Sequence, residues 1–312
     1  PQNLSVEING DARPIFLFAN PIYAAPLSTH KGVRTVGSRP ADKAVLSLQG
    51  TTGQTLVVNP GAFVVGDINL DDTTDAMVYL GLGSVVCGKI FANRAKNVRV
   101  YGSGVLWSNG ATVGNRFWSH TVEKFSLEGP LFVQNEDNWT TYFSNTNNAH
   151  VKNLKIMSAV RDGIDFNGCR DGTAEDCFVY AFDDGIAVMS NNWSNIDARS
   201  VRNIVVKNSS VWNTGGGNPI IVYPPWTKAP VIENVIFQNI DILHKENDSN
   251  KDLPTGAIGG FSYWDTGGLV RNVTYRDIRI ERFEIKTPSD YLFDFVLWEP
   301  DVKYHNFRLE NI

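Results

Sequence analysis

The chain repeats itself at intervals of 22 to 38 residues, and that spacing leaves few folds open. Eight units begin with a polar residue, often Asn, and continue with alternating apolar positions. They are Asn97-Val-Arg-Val, Lys124-Phe-Ser-Leu, Asn153-Leu-Lys-Ile, Glu175-Asp-Cys-Phe, Asn203-Ile-Val-Val, Asn234-Val-Ile-Phe, Asn272-Val-Thr-Tyr and Asn306-Phe-Arg-Leu. Short strands in fixed phase at such a period indicate a solenoid, in which one turn cannot bury its own apolar face and must stack on the next. The units are rich in β-branched residues, and no 12-residue stretch shows helical periodicity. The Leu/Asn consensus of leucine-rich repeats is absent. The expected fold is all-β, a right-handed parallel β-helix; a β-sandwich with coincidental spacing is the competing architecture. The Asn that opens each unit is expected at a turn.

Ahead of the repeat, residues 1–30 read as strands, with Leu4–Ile8 alternating and Pro14–Ala19 continuously apolar. A polar connection with scattered Gly and Pro follows, and from Ala44 short strands resume. The expected division is therefore 1–43, strands and a connection, and 44–312, the β-helix. The charged stretch His244–Pro254 reads as a surface loop that borders a binding cleft.

Of 312 residues, 42% are hydrophobic, enough for a large core in one repetitive domain or two domains. The net charge is −5 with interspersed signs and no basic stripe, which gives nucleic acid no footprint. No run of 18 apolar residues exists, so no membrane span is expected. The chain starts at Pro1 without Met or signal peptide and reads as a processed or truncated product, with further segments in the precursor. Cys169 and Cys177, eight residues apart, suit either a disulfide or two buried thiols, and Cys87 is left over. Sequons at Asn3, Asn138, Asn192, Asn208, Asn247 and Asn272 lean toward a secreted, extracellular or periplasmic protein.

The chemistry lies in Arg161-Asp162-Gly163-Ile164-Asp165-Phe166 and Asp183-Asp184-Gly185-Ile186-Ala187-Val188, the same pattern 22 residues on. On a coil of that period Asp162 and Asp184 stack about 4.8 Å apart. Asp162, Asp183 and Asp184 would then share a small volume. Repulsion among like charges raises at least one pKa, as acid–base hydrolysis of a glycosidic bond requires. Asp165 is the weaker candidate, because Ala187 stands one turn later. Asp171 and Asp176 read as loop carboxylates. No metal ligand set or cofactor is expected.

Asp-Gly-Ile-Asp followed by Asp-Asp-Gly-Ile-Ala-Val resembles the catalytic region of the β-helical polysaccharide hydrolases, above all the polygalacturonases of glycoside hydrolase family 28. Val160-Arg161 stand where that family has Asn-Thr. Downstream, Gly216-Gly-Asn-Pro-Ile-Ile221 replaces the Gly-His-Gly of the polygalacturonases, and their Arg-x-Lys clamp is missing. That stretch is more similar to family 49, the dextranase and isopullulanase group, as are Asn239–His244, Ala257–Tyr263 and Pro14–Pro21. Ala187 stands where that group usually has Lys. The resemblance implies that Asp183 is the general acid, that Asp162 and Asp184 hold and deprotonate the attacking water, and that the anomeric carbon is inverted. It also implies that residues 1–43 are the remnant of a β-sandwich. The missing clamp favours a neutral α-glucan such as dextran or pullulan as substrate.

For substrate contact, Tyr223, Trp226, Tyr263 and Trp264 offer rings at loop-like positions, as does Trp193. Asn218 suits a hydrogen bond to a hydroxyl or to the Asp pair, and His244 and Lys245 can border the cleft. Three other readings compete. One is a polygalacturonase-like hydrolase with its clamp relocated to Arg161, Arg170 or Lys228. Another is a calcium-dependent lyase on the same carboxylates. The third is a glycan-binding β-helix without activity.

Overall fold

The computed structural model describes residues 2–6, 15–27, 29, 31–39, 45–108, 116–134, 138–191, 199–246, 256–260, 268–284, 291–295 and 301–312. These residues form a right-handed parallel β-helix. Each coil gives one strand to a ten-stranded parallel sheet and one or two to a seventeen-stranded parallel sheet. One coil shows the route. Ile164–Asn167 lies in the smaller sheet, Arg170–Glu175 and Phe178–Ala181 lie in the larger, and Ile186–Met189 returns to the smaller one. No helix among the described residues is long and apolar enough to cross a membrane.

Alternation sets what each strand buries. In the smaller sheet Ile164, Ile186, Ile220 and Ile258 stack inward in register, as do Phe166, Val188 and Val222. All are fully buried, and each such side chain contributes roughly 1.5–3 kcal/mol when removed from water. Phe143 and Phe166 continue the pattern with rings 5.5 Å apart.

Left-handed corners recur in pairs five residues apart. They fall at Asn148 and Asn153, Asp171 and Asp176, Asn203 and Asn208, Asn234 and Asn239, Asn272 and Asp277, and Asn306 and Asn311, all with φ between 52° and 58°. A left-handed backbone costs most residues roughly 1–2 kcal/mol, and Asn and Asp tolerate it best. The first corners also bond along the axis. Asn203 donates to Asp171 at 2.8 Å, Asn234 to Asn203 at 2.9 Å, Asn272 to Asn234 at 3.0 Å and Asn306 to Asn272 at 2.8 Å. Two of the sequence units were therefore out of phase. Asn148 and Asp171, not Asn153 and Glu175, align with Lys124 and Asn203. Both corners favour the same residue types, so an Asn before alternating apolar residues marks either one.

The coil also begins earlier than residue 44. Val33–Val36 pairs in parallel with Thr55–Val58, so the boundary expected at 43 falls inside the ladder. Outside it, Gln2–Val6 and Ile15–Ala19 form an antiparallel pair. Phe16 and Phe18 set that pair against Phe178, at 4.8 and 5.0 Å between ring centres. Cys169 and Cys177 are buried free thiols, so the disulfide alternative does not hold, and Cys87 is buried as well. Burial pushes the Cys169 and Cys177 thiols up to about 12.

Candidate active site

Asp162 and Asp184 sit two residues ahead of consecutive strands of the smaller sheet, Ile164–Asn167 and Ile186–Met189. The ladder continues through them. Gly163 N–H donates to Asp184 O at 2.9 Å, and Gly185 N–H donates to Asn218 O at 2.8 Å. Trp139, Asp162, Asp184, Asn218 and Gly256 thus form one column along the helix axis. The glycines are there for space. A Cβ on Gly163 would lie 2.5 Å from Gly185 O, and one on Gly185 would lie 2.4 Å from Pro219 O. Only hydrogen lets the coils approach so closely at the bend.

Oxygens of Asp162, Asp183 and Asp184 all lie within 4.8 Å of one another. Asp162 and Asp184 are buried, while the Asp183 side chain keeps 19% of its exposure. Asp183 therefore reaches solvent and the other two form the floor. Asp184 is held by two donors, Asn218 N–H at 2.7 Å and Tyr223 Oη at 2.7 Å. Arg161 Nη1 donates to Asp183 Oδ2 at 3.4 Å. Behind Asp183, the Asn213 side-chain amide donates to its carbonyl oxygen.

Asp165 belongs to this cluster, contrary to its weak standing in the sequence. It is fully buried, and neither of its oxygens has a hydrogen-bond partner among the described residues. Burial raises the Asp162 pKa well above the carboxylate range, and Asp165, Asp183 and Asp184 add repulsion. Burial likewise raises Asp165, with Asp184 next in effect. Asp162 and Asp165 stand close enough for a protonated carboxyl of one to donate to the other. Comparison along the axis set Asp165 against Ala187 and missed this contact within a single bend. The signal was the i, i+3 spacing across Gly163.

Other site expectations divide. Tyr223 and Asn218 join the carboxylates. The Asn218 side chain turns away, with Oδ1 accepting from Gly256 N–H at 2.7 Å and a buried Nδ2 that has no partner among the described residues. Trp226 is half-buried, and its backbone N–H donates to Ser190 O at 3.1 Å. Trp193, Tyr263 and Trp264 lie outside the described residues.

His244 and Lys245 do not open onto a cleft. Their strand, Val231–Lys245, runs to its last residue in the ladder, and both side chains are buried. His244 bonds Glu284 at 3.2 Å and meets Trp212 edge-on. Lys245 Nζ donates to Asn213 Oδ1 at 3.0 Å and Gly215 O at 2.8 Å. Lys245 thus supports the residue that supports Asp183, one step back from any substrate. The stretch looked like a loop because its charges hid two paired strand positions; residues 247–255 lie outside the described ones. Of the relocated clamps, Lys228 is engaged with Asp301 at 2.5 Å, and only Arg161 touches the carboxylates.

No family model matches the chain. It is similar to isopullulanase of Aspergillus niger, at 27% identity over 93% of this chain and 56% of the relative. It is also similar to a probable exopolygalacturonase B of Aspergillus fumigatus, at 25% identity over 60% of this chain and 44% of the relative. The chain thus spans about half the length of the curated relatives it matches. Among solved structures it superposes on Dex49A from Penicillium minioluteum with a TM-score of 0.55, at 12% identity, over 93% of this chain and 59% of that one. In sequence the chain is thus similar to isopullulanase and to probable exopolygalacturonase B, and in fold it shares the right-handed β-helix of Dex49A.

Proposed function

We propose that this chain is the catalytic β-helix of an inverting glycoside hydrolase acting on a neutral polysaccharide, an α-glucan such as dextran or pullulan. The observation that carries the proposal is the cluster of three carboxylates within 4.8 Å, two on the floor and one reaching solvent. In the proposed step Asp183 gives its proton to the glycosidic oxygen as the C1–O bond breaks. Water held by Asp162 and Asp184 attacks C1, and its proton passes to that pair. Tyr223 and the Asn218 N–H keep Asp184 aimed. The relation to isopullulanase supports a glucan, and the sequons support secretion.

The same carboxylate spacing supports a second reading. Oxygens within 4.8 Å can ligate one Ca²⁺, whose ligands stand at roughly 2.3–2.6 Å. Arg161 at 3.4 Å from Asp183 would then be a base of the kind a lyase needs. One digest separates the readings. The protein is incubated with dextran, pullulan, α-1,3-glucan, galactan and polygalacturonate, each with and without EDTA. The expected result is saturated reducing ends from a glucan, unchanged by EDTA. Unsaturated products, or activity lost in EDTA and restored by calcium, would establish the lyase. Cleavage of polygalacturonate alone would replace the glucan with an acidic substrate.

A further inference from the structure

Upstream of the carboxylates the outer face of the smaller sheet carries an aromatic strip. Phe91, Trp118, Tyr142 and Asp165 occupy the same position on four successive coils. Their neighbours Ile90, Phe117, Thr141 and Ile164 point into the core, so this column faces out. Trp139 lies on the Tyr142 coil, one coil before Asp162. Trp118 and Tyr142 have ring centres 5.3 Å apart, as do Trp139 and Tyr142. Phe91, Trp118 and Trp139 are half-buried, while Tyr142 is covered and serves as their support.

The rings are held as a built surface. Trp118 Nε1 donates to Asn93 Oδ1 at 3.2 Å, and Asn167 Nδ2 donates to Tyr142 Oη at 2.6 Å. Beside the strip, His120 is half-buried, and burial with the nearby Arg199 and Arg94 holds its pKa below the usual range. The rings themselves are uncharged; Lys89 Nζ lies 5.8 Å from the Phe91 ring centre at one end of the strip, and Asp165 and Asp162 stand at the other.

We propose that Phe91, Trp118 and Trp139 form a binding track for uncharged sugar rings of the substrate, on one side of the bond that is cut. Its continuity with the carboxylates is what identifies the occupant. A chain seated over those carboxylates along the helix axis must cross these rings. Coils about 4.8 Å apart present a new ring on the scale of one sugar unit. Aromatic faces and edges suit the C–H surface of a neutral hexose, whereas a uronate would meet a cation at the Phe91 end alone, where Lys89 stands, and carboxylates at the other. Which bond is cut rests on the hydrolase proposal; the binding itself does not.

The test is electrophoresis of the whole chain in native gels containing dextran, pullulan or polygalacturonate. Wild type, Trp118→Ala, Trp118→Phe and Asp183→Asn are run together. Dextran or pullulan is expected to retard wild type, Trp118→Phe and Asp183→Asn, and to bind Trp118→Ala about tenfold more weakly, a difference of about 1.4 kcal/mol. Equal retardation of Trp118→Ala and wild type would overturn the track. So would stronger retardation by polygalacturonate, or no retardation of wild type by either glucan. Loss of binding by Trp118→Phe as well as Trp118→Ala would assign Trp118 to folding and overturn it too. A wild-type dimer that Trp118→Ala dissolves would make the strip a self-association surface instead. Turnover by Asp183→Asn reports on the carboxylates alone, so each proposal can fail without the other.

Discussion

Replacing Asp183 with Asn is expected to lower kcat on the cleaved polysaccharide by about 10²–10⁴-fold, the usual worth of a general acid, with binding close to wild type. Asn keeps the shape and one acceptor oxygen but has no proton of suitable acidity for the leaving oxygen. The local structure should survive, because Asp183 is anchored through its backbone: its carbonyl accepts from Asn213, which Lys245 holds in turn. The Asp183 side chain meets Arg161 at a long 3.4 Å. Asn cannot pair with a guanidinium in the same way, so a small effect on stability is expected, within the range of a partly exposed ion pair. Turnover of a pure Asp183→Asn preparation within a few-fold of wild type would remove Asp183 from the reaction.

Gly217→Ala is expected to be nearly as damaging without touching a titratable group. A Cβ at residue 217 would stand 2.2 Å from the Asp183 carbonyl carbon and 2.3 Å from the Asp184 nitrogen. Both are backbone atoms at the peptide that joins the two carboxylates, so the methyl can be accommodated only by moving that peptide. A misplacement of about 1 Å at reacting groups costs on the order of 10²-fold in rate. Gly37→Ala is the control, since no atom lies within 4 Å of the added carbon there. The expected result is a kcat at least a hundredfold lower for Gly217→Ala, a lower melting temperature, and wild-type values for Gly37→Ala. Equal rates for all three would show that the Asp183–Asp184 peptide is freer than its packing implies.

Much of this architecture was legible in the sequence, for a physical reason. A solenoid repeats one local problem on every coil, so the same residue types recur where the backbone must turn left-handed or bury a side chain. That made the coil and the stacking of Asp162 on Asp184 readable. The phase was less readable, because two corners five residues apart ask for the same Asn or Asp, as Asn148 and Asn153 illustrate.

Contacts across a bend were hidden more deeply. Asp165 meets Asp162 within one coil, while comparison between coils set it against Ala187. The aromatic strip was missed because Phe91 and Trp118 sit in strands, where aromatic residues usually face the core. In sequence Lys245 stands among charged residues, which points it toward solvent and substrate. Its three-dimensional neighbours are instead the buried carbonyls that its ammonium satisfies.

The stereochemistry of the first product tests the central mechanism most directly. Inverting enzymes usually separate acid and base by about 6.5–9.5 Å, and retaining enzymes by about 5–5.5 Å. Here one oxygen from each of Asp162, Asp183 and Asp184 lies within 4.8 Å of the others, which leaves the separation of whole carboxyl groups larger and the outcome to be read from the product. Two carboxylates on the floor leave a water a place to be held from both sides, with Asp183 on the solvent side. Proton NMR of the anomeric signals in the first minutes of a digest, before mutarotation, distinguishes the two. The expected result from an α-linked glucan is the β-anomer. Initial release of the α-anomer would mean that one of these carboxylates attacks carbon directly, and the two-carboxylate water site would be wrong.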